Sequence, residues 1–435
     1  MRTLFQGNLY SKMKIKTIKT RWILDSLGKP TVEVDIYLEN GSYGRASVPT
    51  GISTSISEAS ELWDKRKEFK GYGVSHALNI VEHSVAPLIT GIKADNQEAI
   101  DAKLIALDST PNKTVIGSNV CLAVSVAVAK AAAQAGKLPL YAYLAQLAGI
   151  KEKDIRLPIP MIAVLGGGLH ARKTMDFESL MIIPTKARDI HTAIRVGIEI
   201  NYCLKEVLLK RNFALVRATD GSFAPVGARS NKQAIELVCE ATKQAGYIIG
   251  EDVWLGIGMA ASHLYQKGVY TLGSDKVQLG PRAYSEWIDQ LLKKYPIKLI
   301  EDPFYEESWQ SWTKLTEQAG KKVQIVGNDL IATSEKLLQK AIKARAANAI
   351  LIKPNQIGTL SETISTYKEA KKAGWQTFVA SRAGETKDSY LAHLAVGLGS
   401  EQTKLGAAAG SSSSEYNELL RISDSLGSDL FRRLV

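Results

Sequence analysis

The sequence predicts an α/β protein: a (β/α)₈ barrel of the TIM type preceded by a smaller α+β capping domain. Three observations predict it. Residues 14–150 pass from strand-like alternation to helical spacing; prolines and charges interrupt both patterns at 151–160; beyond that, short apolar runs recur at the spacing of one strand plus one helix. A length of 435 residues, 45% hydrophobic and 23% charged, suits a small domain beside a large barrel and excludes a globally disordered chain.

Residues 1–12 read as a leader, with Met13 opening the first strand pattern, so domain 1 is counted from residue 14. From Lys14 to Ser47 apolar residues alternate, Val32, Val34, Ile36 and Leu38 on one face, and Glu39-Asn40-Gly41-Ser42 supplies turn chemistry. This predicts an antiparallel meander with one solvated face. From Ser57 to about Leu147 the spacing is helical, ending in the Ala-rich run Ala123–Gly136, where propensity is high and a glycine closes the helix. Residues 151–160 (KEKDIRLPIP) behave as a linker, giving domains at 14–150 and 155–435. In the second, apolar runs end at Glu301, Asn328, Lys353, Ser381 and Lys404, spaced by 27, 25, 28 and 23 residues, and segments such as Ser334–Ala347 between them have helical spacing. Successive strands should therefore be parallel and close into a barrel.

The formal charge of +11 admits an anionic substrate or an acidic partner, but no Lys/Arg block with interleaved aromatics marks a dedicated nucleic-acid module. No run reaches the ~18 apolar residues of a membrane span. Cys121, Cys203 and Cys239 are odd in number, far apart and set in apolar stretches, as expected of buried thiols in the cytoplasm rather than of a disulfide or zinc framework. A barrel of this kind carries its site at the C-terminal strand ends. Those ends hold Glu301, Asp302, Asn328, Asp329, Lys353, Arg382 and Lys404.

Six segments around these positions, Asp25–Val34 (DSLGKPTVEV), Val48–Thr54 (VPTGIST), Leu165–His170 (LGGGLH), Leu299–Phe304 (LIEDPF), Lys353–Ser361 (KPNQIGTLS) and Ser381–Thr386 (SRAGET), together resemble the enolase family. The resemblance implies dehydration of 2-phosphoglycerate to phosphoenolpyruvate, a glycolytic step in which Mg²⁺ on the substrate carboxylate stabilises an enediolate so that a lysine can remove the C2 proton. It implies Lys353 as that base, Lys404 assisting at the carboxylate, Arg382 at the phosphate, Ser53 on a loop closing over a second metal, and His170 on another closing loop. It also implies a small phosphorylated carboxylate as ligand, a homodimer or higher homo-oligomer, and the cell surface as a second location beside the cytoplasm.

The chain departs from that pattern in several places. The three carboxylate ligands of the first Mg²⁺ correspond to Gly258, Glu301 and Asn328, so one charged ligand survives and metal binding should be weakened. The acid that assists hydroxide departure becomes Asp220, one methylene shorter than Glu. Counting without a gap from His170 puts Glu178 on the family's Gln and Ser179 on its second catalytic Glu, whereas a one-residue gap would return Glu178 to that role. The ungapped count is preferred, because a slip of one turns a strand side chain to the opposite face. Ser381 and Ala383 flank Arg382 where the family shows His and Ser, and Gly410–Ser414 replaces an Arg-bearing segment. With few carboxylates to neutralise them, Arg382 and Lys404 are expected to keep an anion pocket. Two functions follow: a Mg²⁺-dependent carbon–oxygen hydro-lyase of impaired activity, or a catalytically degenerate paralogue acting as a binding or surface-associated protein.

Overall fold

The computed structural model describes residues 13–51, 55–171, 174–427 and 430–432. Strands β1 (Ile15–Leu24), β2 (Pro30–Leu38) and β3 (Tyr43–Ser47) form the antiparallel meander, in the order β1-β2-β3. Val32, Val34, Ile36 and Leu38 are all buried, each burial contributing roughly 1.5–3 kcal/mol of transfer free energy. The opposite face is less solvated than alternation suggests. Asp35 is also fully buried there, because Arg21 from β1 and Arg45 from β3 clamp its carboxylate and lay their stems over the sheet.

Helix α1 (Ser118–Ala135) packs beneath this sheet. It begins five residues before the Ala-rich run and ends at Gly136, whose N–H reaches the Ala132 carbonyl. Among the described residues it is the one helix long and apolar enough to cross a membrane, yet 89% of it is buried inside the domain, as a core helix should be.

Eight strands make the barrel: β4 (Ile159–Gly166), β5 (Ser179–Ile183), β6 (Trp254–Gly258), β7 (Ile297–Glu301), β8 (Gln324–Gly327), β9 (Ala349–Ile352), β10 (Gln376–Ala380) and β11 (Gln402–Lys404). It closes through β11 and β4, with Lys404 opposite Met161. From β6 onward all strands are parallel, as the recurring interval requires. β5 is different: it runs antiparallel to both β4 and β6, so the barrel is not uniformly (β/α)₈. Among its described residues the β4–β5 connection carries one 3₁₀ turn, Gly168–Ala171, and no crossover helix that could return the chain for a parallel strand. Two long helices, Ile190–Lys210 and Asn231–Gln244, follow β5 instead.

The segment read as linker is shorter than expected, since Ile159 already belongs to β4. Of the cysteines only Cys121 is buried; Cys203 and Cys239 sit partly exposed on those outer helices, one face of which meets solvent.

Segments of the capping domain lie across the strand ends of the barrel. Ser26 N–H donates to the Glu385 carbonyl (2.9 Å), Thr50 N–H to Gly384 (3.1 Å) and Ala59 N–H to Gln356 (2.8 Å). Lys130 pairs with Asp388 and Lys113 with Glu362. These contacts dock the capping domain onto that end of the barrel.

Candidate functional site

Three strands meet beneath the pocket floor. The β5–β6 register places Ser179 opposite Gly258, and the β6–β7 register places Glu301 opposite the same glycine. Lys404, at the end of β11, reaches across the barrel and sets its ammonium 2.5 Å from Glu301 Oε2. Burial opposes charge on Lys404, but Glu301, and Glu178 after it, hold the ammonium above its ordinary value. The Ser179 hydroxyl is buried and has no hydrogen-bond partner among the described residues.

The Gly-rich end of β4 carries His170. Its Nε2 lies 3.0 Å from Glu178 Oε1 and its Nδ1 2.6 Å from Thr219 Oγ1. Burial disfavours the imidazolium, yet the Glu178 charge raises His170 above the usual histidine range. Burial would likewise raise Glu178, but His170, Lys404 and Lys353 drive it well below the ordinary carboxylate value. Asp220, on the turn after Thr219, accepts from Ser222 N–H (3.0 Å) and Ser222 Oγ (2.5 Å), which orients its carboxylate.

On the opposite wall the side chains form one hydrogen-bonded chain. Lys353 N–H donates to Thr333 Oγ1 (2.9 Å), whose hydroxyl donates to Gln356 Oε1 (2.8 Å). Gln356 Nε2 is shared between Asn328 Oδ1 and Glu58 Oε1, both at 3.1 Å. Glu58 Oε2 then meets Arg382 Nη2 at 2.6 Å, with each side chain only 5% exposed. Behind Asn328, the Asp302 carboxylate accepts the N–H groups of Asn328 and Asp329. Burial, with Glu301 beside it, pushes Asp302 up to about 7. Asp302 also holds φ = +45°, a left-handed backbone at a strand end of the kind that collects at functional sites.

His170, Glu178, Ser179, Asp220, Asn328, Lys353, Ser381, Arg382 and Lys404 thus line a single pocket, with Glu301 and Gly258 beneath it. Ser53 lies outside the described residues. Both Glu178 and Ser179 border the pocket, so the two counts from His170 are each compatible with a side chain at the site; Glu178 holds His170 and Ser179 faces Gly258. Ser381 spends its backbone N–H and its hydroxyl on the Lys404 carbonyl (2.8 and 3.3 Å).

The expectation that few carboxylates are left to neutralise Arg382 and Lys404 is corrected, for Glu58 pairs with one and Glu301 with the other. Glu58 has no local signal in the sequence: it is one carboxylate in a polar loop, and only the docking of the capping domain brings it to Arg382. Lys353 differs from both, because its ammonium makes no ion pair among the described residues.

The residues do not fit a Mg²⁺ cage. Gly258 offers no side-chain ligand and its carbonyl accepts the Glu178 N–H, the Asn328 carbonyl oxygen receives Gln356, and the Glu301 carboxylate is bound to an ammonium. Among the described residues no three His, Cys, Asp or Glu side chains are grouped to hold a metal ion.

An eight-stranded barrel with one antiparallel strand, capped by an α+β domain and carrying lysines, an arginine and a paired histidine at its strand ends, defines a class of barrel proteins whose functional groups gather at the C-terminal strand ends. Residues 15–144 match the family model described as "Enolase, N-terminal domain", and residues 154–431 match "Enolase, C-terminal TIM barrel domain". The chain belongs to the enolase family, whose substrate is a phosphorylated carboxylate and which generally depends on Mg²⁺.

Proposed function

We propose that the strand-end pocket binds a small phosphorylated carboxylate of the 2-phosphoglycerate class, and that dehydration to phosphoenolpyruvate is strongly impaired. The observation that carries this reading is the position of Lys353, an ammonium without an ion pair among the described residues, in one pocket with Lys404 and Arg382. Three cationic groups on neighbouring strand ends suit a ligand with two anionic ends. Turnover needs more. Removing the proton beside a carboxylate creates a second negative charge on that group, and the groups at hand to meet it are ammonium and hydroxyl donors. Loss of one preorganised donor for a developing oxyanion commonly reduces kcat by ~10²–10³, so dismantling a dication cage should reduce it at least as far. Asp220 and the His170–Glu178 pair border the leaving-group side, but cannot replace that charge.

The test is conversion of 2-phosphoglycerate followed at 240 nm across a Mg²⁺ and Mn²⁺ series, beside a chelated sample and an enolase with all three carboxylates. Turnover should fall short of that control by on the order of 10³ or more, and Gly258→Asp with Asn328→Asp should raise it in a Mg²⁺-dependent manner. Robust Mg²⁺-dependent turnover by the unaltered chain would overturn the impairment. The second reading, a paralogue that binds without catalysis, is favoured by Ser179, which faces Gly258 where the family's second catalytic Glu is expected. It predicts retained phosphoenolpyruvate binding with no turnover even in the double variant. A cytoplasmic homodimer or higher homo-oligomer accompanies either reading, with sedimentation as its measurement.

A further inference from the structure

The side-chain space at position 258 is where Ser179, Glu301 and Lys404 converge. A Cβ placed on Gly258 would lie 2.6 Å from Ser179 Oγ, 3.3 Å from Glu301 Oε2 and 3.4 Å from Lys404 Nζ. Ser179 Oγ thus already occupies the place of that Cβ, and an ammonium borders it directly. That ammonium is not a loose surface group: the Lys404 side chain is 14% exposed and Glu301 2% exposed. The buried Ser179 hydroxyl that fills this place has no hydrogen-bond partner among the described residues.

We propose that the Lys404 ammonium, clamped on Glu301, is a chain-borne cation standing in the place of the metal, and that together with Ser179 it holds the carboxylate end of the ligand without any divalent ion. The ligand class rests on the function proposed above; the displacement of the metal rests on the geometry alone. An ammonium has three N–H donors. One is taken by Glu301, leaving donors for a ligand carboxylate, with Ser179 Oγ–H beside them. A divalent ion in the same place would have to displace the ammonium from Glu301 and then lie against a like charge, with one carboxylate to hold it. A hard dication there is therefore opposed by charge, since the one carboxylate that could hold it is already paired with an ammonium. Gly258 and the Lys404–Glu301 pair then act together, with a covalently attached cation where a bound ion would need a carboxylate at 258.

Two measurements test this on the full chain. In the first, Mn²⁺ binding is followed by electron paramagnetic resonance for wild type, Lys404→Gln, and Lys404→Gln with Glu301→Gln. Wild type should take up no Mn²⁺ at millimolar concentration, Lys404→Gln should acquire a Glu301-dependent site, and the double variant should lose it. Glu301-dependent Mn²⁺ uptake by wild type, or no gain in a folded Lys404→Gln, would overturn the proposal. The double variant also leaves no buried unpaired charge, which guards against misfolding as the cause of any loss. In the second, phosphoenolpyruvate is titrated calorimetrically in chelator and in 5 mM Mg²⁺. The dissociation constants should agree within about twofold and rise at least tenfold in Lys404→Gln, in keeping with loss of a charged hydrogen bond; tenfold tighter binding in Mg²⁺ would overturn the proposal. Absence of phosphoenolpyruvate binding under both conditions would refute the carboxylate-holding role and the proposed ligand class together, while the Mn²⁺ measurement would still decide the displacement of the metal.

Discussion

Glu58→Gln is the perturbation that most directly probes the anion end of the pocket. The carboxylate meets Arg382 Nη2 at 2.6 Å, with both side chains 5% exposed, and Oε1 also receives Ser55 N–H and Gln356 Nε2, each at 3.1 Å. Glutamine keeps the shape and the Oε1 acceptor but removes the charge and faces the guanidinium with a donor. Breaking one side of a buried pair typically costs 3–5 kcal/mol, because the remaining charge stays desolvated, so a loss of about 3 kcal/mol is expected. With its Glu58 charge partner removed, the guanidinium should then attract an anion from solution. If it binds inorganic phosphate with a Kd of about 0.1 mM, 10 mM phosphate returns about 2.7 kcal/mol by mass action. In wild type the same phosphate must displace Glu58 and should add less than about 0.5 kcal/mol, the response expected where [L] does not exceed Kd. Urea unfolding followed by circular dichroism, with and without phosphate in matched ionic strength, measures all four values. A loss below about 1 kcal/mol, or equal phosphate stabilisation of both proteins, would refute the view that Glu58 occupies the anion position.

Two further perturbations test the surroundings of the pocket. Gly384 holds φ = +76° with Thr50 O, Thr50 Oγ1 and Asp25 Oδ2 at 2.5, 2.6 and 2.8 Å from a would-be Cβ, so Gly384→Ala should cost about 2–4 kcal/mol in urea unfolding; a loss below about 1 kcal/mol would show that the two domains accommodate each other there. Burial, reinforced by Asp388, pushes the Glu385 carboxyl up to about 8, although it accepts the Arg382 N–H at 2.8 Å. Between the unfolded value near 4.5 and that folded value, the unfolded chain ionises while the folded one stays protonated, so the contribution of Glu385 is fully present at low pH and is lost as pH rises towards 8. Glu385→Gln should match wild type near pH 5 and exceed it at pH 8.5 by on the order of 3 kcal/mol; parallel stability curves from pH 5 to 9 would contradict the shift.

What the sequence by itself determined follows from periodicity and from chemistry carried by single residues. Val32, Val34, Ile36 and Leu38 announce a half-buried strand because side chains alternate at a period of two, and the interval from Glu301 to Lys404 announces parallel strands because each return needs a helix. The polar groups closing those runs fall at the strand ends for the same reason, and Gly258 and Asn328 are legible as neutral residues where the resemblance implies carboxylates. Only tertiary structure decided the direction of β5, which turns on how its connection to β4 packs, and the burial of Asp35, which needs arginines from two other strands. It alone brought Glu58 from the capping domain onto Arg382, residues 324 apart in the chain, and Lys404 across the barrel onto Glu301. Local pattern specifies which face of an element is apolar. Which charge meets which is settled when the elements pack, since a buried ion is tolerated only where the fold supplies its counter-charge.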